Sequence, residues 1–353
     1  MLDRRSLHQL LSTRTVSLVD DRPLFSTLTK LWQTFLVEPT KVYQDTRTPL
    51  AIYDAQLSTQ AIIETLQEPV TIIGVDGSQI YPDRHEGTML GLIQTAAVAI
   101  TYQRPVSGMF IHENVQLVDG IVEGNESSID AIRHAAEFAA AIESAQQYTN
   151  SVVLLDGALL AWHAQEYAQR RREQIMESLL TAMREMYTKK IVHVAYTSSP
   201  NTKEILQILA SLAAQQGIEL PSHQLVDAQL LPHVLQQGQV TPWFCSASTG
   251  IATEYPAELR PWFCYMHTGT EIARIEAPAW LIHDNEKKML VMQALLQQIT
   301  LGRGFPVVLA EAHAATVITA ADRAYFYQAI EQVSGGQFNT VSSKLQAKRR
   351  MTF

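Results

Sequence analysis

Two apolar runs in this chain each end in the same pair of residues, an aspartate followed by a glycine. The first run covers residues 71–75 and leads into Asp76, and the second covers 151–155 and leads into Asp156. Short apolar runs rich in β-branched residues predict buried strands. A carboxylate at the end of a buried strand costs free energy unless it is paired, hydrogen-bonded or bound to a metal. The repeated pattern therefore predicts two strands that deliver their carboxylates to one site.

The composition is that of a globular protein without a membrane anchor. The 353 residues are 46% hydrophobic and 18% charged, with a net charge of −8, which suits one large domain or two ordinary ones. This charge argues against a surface that coats nucleic acid throughout, but it permits a local basic groove beside an acidic site. Cys245 and Cys264 have neither metal-ligand spacing nor a disulfide framework around them, which indicates a reducing, cytoplasmic setting.

The apolar pattern divides the chain into three parts. Residues 1–68 carry leucines at helical spacing and are predicted to form a helical segment that serves packing or dimerisation. Residues 69–333 contain no linker and are predicted to form one domain, whereas 334–353 are predicted to be a mobile basic tail. Within the domain, 222–280 has the least regular pattern and is predicted to be an insertion that carries a small β-hairpin around Thr268 and Gly269.

The order of elements inside the domain predicts a mixed sheet. Strands at 71–75, 89–102 and 109–118 follow one another through short links, which predicts an antiparallel meander. The chain then alternates helix, strand, helix, strand and helix, with the two strands at 152–155 and 191–196. We therefore expect an α/β fold with a mixed five-stranded sheet flanked by helices.

A third carboxylate is predicted by comparing the heights of residues along the helix at 128–148 with the height of Asp156 on the strand that follows. The helix and this strand run antiparallel. The strand climbs by about 3.3 Å per residue and the helix by about 1.5 Å per residue. This arithmetic places Glu137 level with Asp156, and it places Glu143 about 9 Å lower. Glu137 is therefore the predicted third carboxylate, with Glu143 as the other acid that this helix offers and a solvated helix residue as the simpler interpretation.

Asp76, Glu137 and Asp156 are residue types that bind hard divalent cations. Such ions take oxygen ligands, and two-metal phosphoryl chemistry places several carboxylates around ions that are about 3.5–4 Å apart. Magnesium and manganese both suit carboxylates. The simpler interpretation is that each aspartate caps a turn, Asp76 through Ser78, but two matching Asp-Gly strand ends are harder to explain by capping.

These motifs, in this order, resemble one family. An aspartate on the first strand, a three-stranded meander, a glutamate on the first helix and an aspartate on the fourth strand are the arrangement of ribonuclease-H-like nucleases. The sequence is similar to that of the NurA nuclease family over about residues 69–330. The segments that carry this resemblance are Val75-Asp76-Gly77-Ser78-Gln79-Ile80, Pro82-Asp83-Arg84-His85, Leu154-Leu155-Asp156-Gly157-Ala158-Leu159 and Ala312-His313.

The resemblance implies an RNase-H-like core and manganese-dependent nuclease activity on DNA, of the single-strand endonuclease and 5′–3′ exonuclease type. It also implies a homodimer and a hexameric HerA-like ATPase as the partner, in DNA end resection during recombinational repair. Asp76, Glu137, Asp156 and His313 match the family's metal site, with two Mn²⁺ ions, or Mg²⁺, per site. One ion would activate the attacking water and the other would stabilise the leaving 3′-oxygen.

Basic residues near these motifs are candidates for phosphate contact. Arg84 and His85 follow the first motif, where a plain loop ion pair is the alternative. Arg170, Arg171 and Arg172 lie on a long predicted helix, where a solvated face is the alternative. The sequence contains no Gly-Lys-Ser/Thr phosphate loop, so ATP hydrolysis is expected of a partner.

Two other functional classes are open on sequence grounds. One is a catalytically inactive RNase-H-like scaffold that regulates a DNA motor. The other is a phosphotransferase with an acceptor aspartate at a strand end, as in haloacid-dehalogenase-type enzymes. Those enzymes need a second aspartate two residues later, and Ser78 in that position argues against them.

Overall fold

The structure is a computed structural model that describes most of the chain. The described residues are 22–37, 50–53, 66, 69–83, 88–102, 108–119, 126–161, 164, 169–221, 224–246 and 254–333. The predicted tail at 334–353 and the residues Arg84 and His85 lie outside them. None of the described helices combines the length and the apolarity needed to cross a membrane.

One mixed sheet organises the described residues. Its strands are β1 (Ile52–Tyr53), β2 (Thr71–Ile80), β3 (Leu90–Thr101), β4 (Met109–Asp119), β5 (Ser151–Asp156), β6 (Val192–Thr197), β7 (Phe244–Cys245), β8 (Pro261–His267) and β9 (Ile272–Pro278). Their order across the sheet is β1-β7-β8-β9-β6-β5-β2-β3-β4. The predicted meander is confirmed as β2, β3 and β4, which pair antiparallel. Parallel pairing joins β2 to β5 and β5 to β6, so the predicted mixed α/β sheet is confirmed.

The sheet is wider than the five strands expected, with nine in the described part of the chain. The hairpin predicted as an insertion, β8–β9, continues the same sheet because β9 pairs antiparallel with β6. All seven residues of β9 are buried. Nearly every residue of the hairpin is buried, Arg274 and Glu276 included, so both of its faces are covered, but the sequence does not show which open sheet edge receives it.

Helices cover both faces of the sheet. They are α1 (Arg22–Val37), α2 (Glu126–Ala145), α3 (Gln169–Thr188), α4 (Glu204–Gln215), α5 (Asp227–Leu230), α6 (Ala279–Ile282), α7 (Asn285–Leu301), α8 (Val307–Thr316) and α9 (Ala320–Val333). The core under α2 and α3 takes the odd-numbered side chains of β2 and β5, and the core under α7 and α8 takes the even-numbered ones, as strand alternation requires. In a third core, α1 packs with α4, so the described helix of the N-terminal segment packs on the domain.

Helix α8 lies unusually close to β2. A Cβ atom on Gly74 would stand 2.3 Å from the backbone oxygen of Val308. The other end of α8 is held by side chains of the sheet, because Ser78 Oγ donates a hydrogen bond to the carbonyl of Thr316 and Gln94 Nε2 donates one to that of Ala315, at 2.9 Å. These contacts fix the position of α8 along the strand.

We predict that Gly74→Ala destabilises the protein, because the added methyl group would meet backbone atoms that cannot turn aside. Overpacking of this kind costs about 1–3 kcal/mol, which a urea titration followed by circular dichroism would measure. Gly108→Ala is the matched control, since its Cβ would meet only the edge of the exposed Phe110 ring, 2.9 Å away. Equal stability of the two variants would contradict the close packing of α8 on β2.

Candidate metal centre

Asp76 lies in the middle of β2 rather than at its end, where the sequence had placed it. The pairing of β2 with β5 stops at Val75 and Leu155, so β2 continues beyond its neighbour and exposes that side. Asp76 Oδ1 accepts a hydrogen bond from the N–H of Gly77 at 2.7 Å. Oδ2 accepts one from Thr316 Oγ1 at 3.1 Å and lies 2.9 Å from Nδ1 of His313. The carboxylate is thus held between its own strand and α8.

Asp156 is the last residue of β5 and lies beside Asp76. Leu154 belongs to the core under α7 and α8, so by alternation Asp156 is on the same face of the sheet as Asp76. Gly157 follows with φ +106°, a conformation that side-chain-bearing residues rarely adopt. The turn is fixed by its hydrogen bonds to β6, from Gly157 N–H to the carbonyl of Tyr196 (2.9 Å) and from Thr197 Oγ1 to the carbonyl of Gly157 (2.7 Å).

Glu137 approaches the two aspartates from the opposite face of the sheet, on α2. It is buried, with 4% of its surface exposed. A Cβ atom on Gly77 would stand 2.7 Å from Glu137 Oε1, so this glycine makes room for the carboxylate. The alternative, Glu143, is exposed and lies 3.6 Å from Nε2 of His112 on β4. The structure therefore places Glu137, and not Glu143, beside the aspartates.

Two carboxyl groups of the cluster, those of Glu137 and Asp156, have raised pKa values. Burial raises the pKa of Glu137 to about 7, with a further contribution from the charge of Asp76, while the neighbouring Arg133 opposes the shift. Loss of hydration raises the pKa of Asp156 to about 6, again helped by Asp76 and opposed by His313 and Arg133. Mutual repulsion of the three carboxylates is the condition that a bound cation relieves.

The residues present fit a divalent cation in their chemistry, since three carboxylates and an imidazole are suitable ligands. Asp76, Glu137, Asp156 and His313 would hold it. In the described part of the chain, however, no three His, Cys, Asp or Glu side chains are placed so that they could hold a metal ion as they stand. Arg133, one helical turn before Glu137, forms an ion pair with the Glu137 carboxylate.

Sequence analysis missed Arg133 and Thr316, which bind Glu137 and Asp76. The spacing of Arg133 and Glu137, four residues apart on a predicted helix, is a visible signal for an ion pair. Thr316 leaves no such signal, because its contact spans 240 positions of the sequence.

The candidate DNA contacts stay predictions. Arg84 and His85 lie outside the described residues, and the side chains of Arg170 and Arg171 on α3 are likewise not described. Arg172 is engaged by the carboxylate of Glu254.

Comparisons with known proteins point to one family. A model of the NurA domain matches residues 70–318, which is most of the chain. Among curated proteins none matches the sequence.

Solved structures with a similar fold include the NurA nuclease from Sulfolobus solfataricus, with a TM-score of 0.52 and 12% identity over 88% of this chain and 96% of that one. A structure of NurA bound to dAMP and manganese has a TM-score of 0.40 and 12% identity, over 89% of this chain and 96% of that one. The structure of human ENDOV has a TM-score of 0.37 and 12% identity, over 78% of this chain and 96% of that one. At this identity the first likeness supports the fold alone, and the other two are too distant to carry an argument.

We predict that the metal-free protein becomes more stable as the pH falls from about 8 towards about 6. The pKa of Glu137 is about 7 in the folded protein, against about 4.3 for an unperturbed glutamate, so in this window the folded state binds more protons than the unfolded state and gains stability as the pH falls. Thermal denaturation in the presence of a chelator at several pH values would measure this change in stability. Glu137→Gln is the control and should flatten the dependence; an unchanged slope would contradict the raised pKa of Glu137.

Proposed function

Because this chain belongs to the NurA family, a family of metal-dependent nucleases, we propose that it hydrolyses DNA phosphodiester bonds at the cluster formed by Asp76, Glu137, Asp156 and His313. The observation that carries the proposal is that three carboxylates from β2, α2 and β5 lie close enough to repel one another electrostatically. Such an arrangement is unfavourable unless a cation offsets the charge. The proposed ion is Mn²⁺, in keeping with the family, and Mg²⁺ suits the same ligands.

Two divalent cations, when bound, would supply an activated water and stabilise the leaving 3′-oxygen. The chain's own groups prepare the site for this. Asp76 is fixed on both oxygens, by Gly77, Thr316 and His313, so its position does not depend on the ion. If His313 donates Nδ1–H to Asp76, its Nε2 is the atom left to accept a proton or bind a ligand, and the His313 side chain is 67% exposed.

The proposal extends to the setting in which the nuclease works. We place it in resection of DNA double-strand ends during homologous recombination, in the cytoplasm, as a single-strand endonuclease and 5′–3′ exonuclease. A HerA-like hexameric ATPase is the proposed partner, as the resemblance to the family implies. The sequence itself has no phosphate loop for ATP, so ATP hydrolysis is left to that partner. The proposed sequence of events is that the motor delivers single strands to the carboxylate cluster.

A homodimer is also proposed, with β4 as the contact. This strand forms one edge of the sheet, and ten of its eleven residues are exposed. Its exposed apolar side chains are Met109, Phe110, Ile111, Val115 and Leu117. A long, apolar edge strand pairs readily with another chain, and a second copy offers the same strand in antiparallel register about a two-fold axis.

We predict that Asp76→Asn reduces DNA cleavage at least about 100-fold, since even an outer partner of a metal ligand is worth about 10–100-fold. The assay is digestion of end-labelled single- and double-stranded DNA with Mn²⁺, Mg²⁺ or chelator. Asp322→Asn is the control, because Asp322 is exposed and its side chain is bonded to Thr319 of the same segment. Unchanged cleavage by Asp76→Asn would refute the site, and no cleavage by the folded wild-type protein with any ion would favour the scaffold.

We predict that the double variant Val115→Lys, Leu117→Lys is monomeric, because charges on an edge strand block pairing. Light scattering after gel filtration would show the wild-type chain as a dimer and this variant as a monomer with the same melting temperature. Leu301→Lys, which adds charge at an exposed residue at the end of α7, should remain dimeric. A dimer that survives the double substitution would show that β4 is not the contact. The N-terminal segment, residues 1–68, which was predicted to serve packing or dimerisation, would then be the next candidate.

A further inference from the structure

Arg133 occupies the place where a cation would neutralise Glu137. The two residues are one turn apart on α2, and Arg133 Nη1 is bonded to Glu137 Oε1. The guanidinium also acts electrostatically on Asp156, so its charge faces two carboxylates that come from different elements. A single positive charge thus takes the position in which a divalent ion would be more effective.

The contact uses the Glu137 oxygen that lies nearest to β2. Oε1 is both the oxygen bonded to Arg133 and the oxygen nearest to Gly77, on the side of the aspartates. The stem of Arg133 lies against the same glycine, with Cγ 3.2 Å from the position of a Gly77 Cβ. A metal ion that used this oxygen would therefore compete with the guanidinium for it.

Arg133 is held in place by little else. Its Nε is buried without a hydrogen-bond partner in the described part of the chain, and no further ion pair of its guanidinium is seen there. A buried donor without a partner is unfavourable, so the present position of Arg133 depends mainly on the bond to Glu137. An arginine held by one carboxylate can leave when that carboxylate finds a stronger partner.

We propose that Arg133 is the counter-ion of Glu137 in the metal-free protein and that a divalent cation displaces it from that carboxylate. The inference rests on the proposed metal-dependent function and adds a competition to it. Arg133 then stabilises the metal-free fold and weakens ion binding at the same time.

The rival explanation is that Arg133 aims Glu137 at the ion as a positioning residue. The two explanations predict opposite changes in ion affinity when the guanidinium is removed. Competition predicts that loss of the guanidinium tightens ion binding, whereas positioning predicts that it weakens ion binding. Binding of the ion, and not cleavage of DNA, is therefore the decisive measurement.

The first experiment is calorimetric titration of the full chain with MnCl₂, at an alkaline pH that keeps Glu137 ionised. Arg133→Gln should bind Mn²⁺ about tenfold more tightly than the wild-type chain, since a hydrogen bond between charged groups of this strength no longer has to be broken. Arg133→Lys, which retains the charge, should bind close to wild type. Lys189→Gln is the matched control because it removes the i,i+4 ion pair between Lys189, the residue after α3, and Glu185 of α3; the Mn²⁺ affinity of this variant should be unchanged.

The second experiment uses the wild-type chain and so does not depend on the folding of a variant. Phenylglyoxal modifies free guanidinium groups, and mass spectrometry reads the modification at Arg133. Saturating Mn²⁺ should make Arg133 several-fold more reactive than it is in chelator, because its carboxylate partner is lost. Arg172, paired with Glu254, is the internal reference and should react equally in both conditions.

The outcomes separate the inference from the function it rests on. Weaker or equal Mn²⁺ binding by Arg133→Gln, or equal reactivity of Arg133 with and without Mn²⁺, overturns the competition and leaves the metal site standing. No binding of Mn²⁺ or Mg²⁺ by the wild-type chain overturns both.

Discussion

The candidate site depends on the closeness with which two helices approach opposite faces of β2. Gly74 admits the backbone of α8 on one face, and Gly77 admits the carboxylate of Glu137 from α2 on the other. Without side chains at these two positions, His313 and Glu137 reach Asp76 from opposite directions. A strand with ordinary residues there would hold both helices farther away, and the acids of the three elements would not meet.

Closeness of this kind has an electrostatic cost. Three carboxylates from different elements share a partly dry region, and the pKa values of Glu137 and Asp156 rise to about 7 and about 6. The chain offsets the cost locally, with Thr316 and His313 on Asp76 and with Arg133 on Glu137. The offset is incomplete, and an incompletely neutralised acidic cluster is the physical property that makes a protein site attract divalent cations.

Much of this candidate site was predictable from sequence because its acidic residues are tied to local patterns. Asp76 and Asp156 end apolar runs, and the level of Glu137 follows from the helix and strand rises, which the structure bears out in its placement. The width of the sheet was not predictable, since the pairing of β9 with β6 joins distant segments with no distinctive residue at the contact. The length of β2 was also misjudged, because Asp76 interrupts the apolar run while the pairing with β3 continues to Ile80.

The two Asp-Gly motifs look alike in sequence yet have different physical causes. Gly157 is required by its backbone, which has a positive φ; no atom of the described residues lies near the place of its Cβ. Gly77 has an ordinary strand conformation. It must be glycine because a side chain there would clash with the neighbouring Glu137 carboxylate. Alanine at 157 would strain the turn that ends β5, whereas alanine at 77 would press on the ion pair of Arg133 and Glu137. Matching motifs therefore serve one site through a backbone constraint in one strand and a packing constraint in the other.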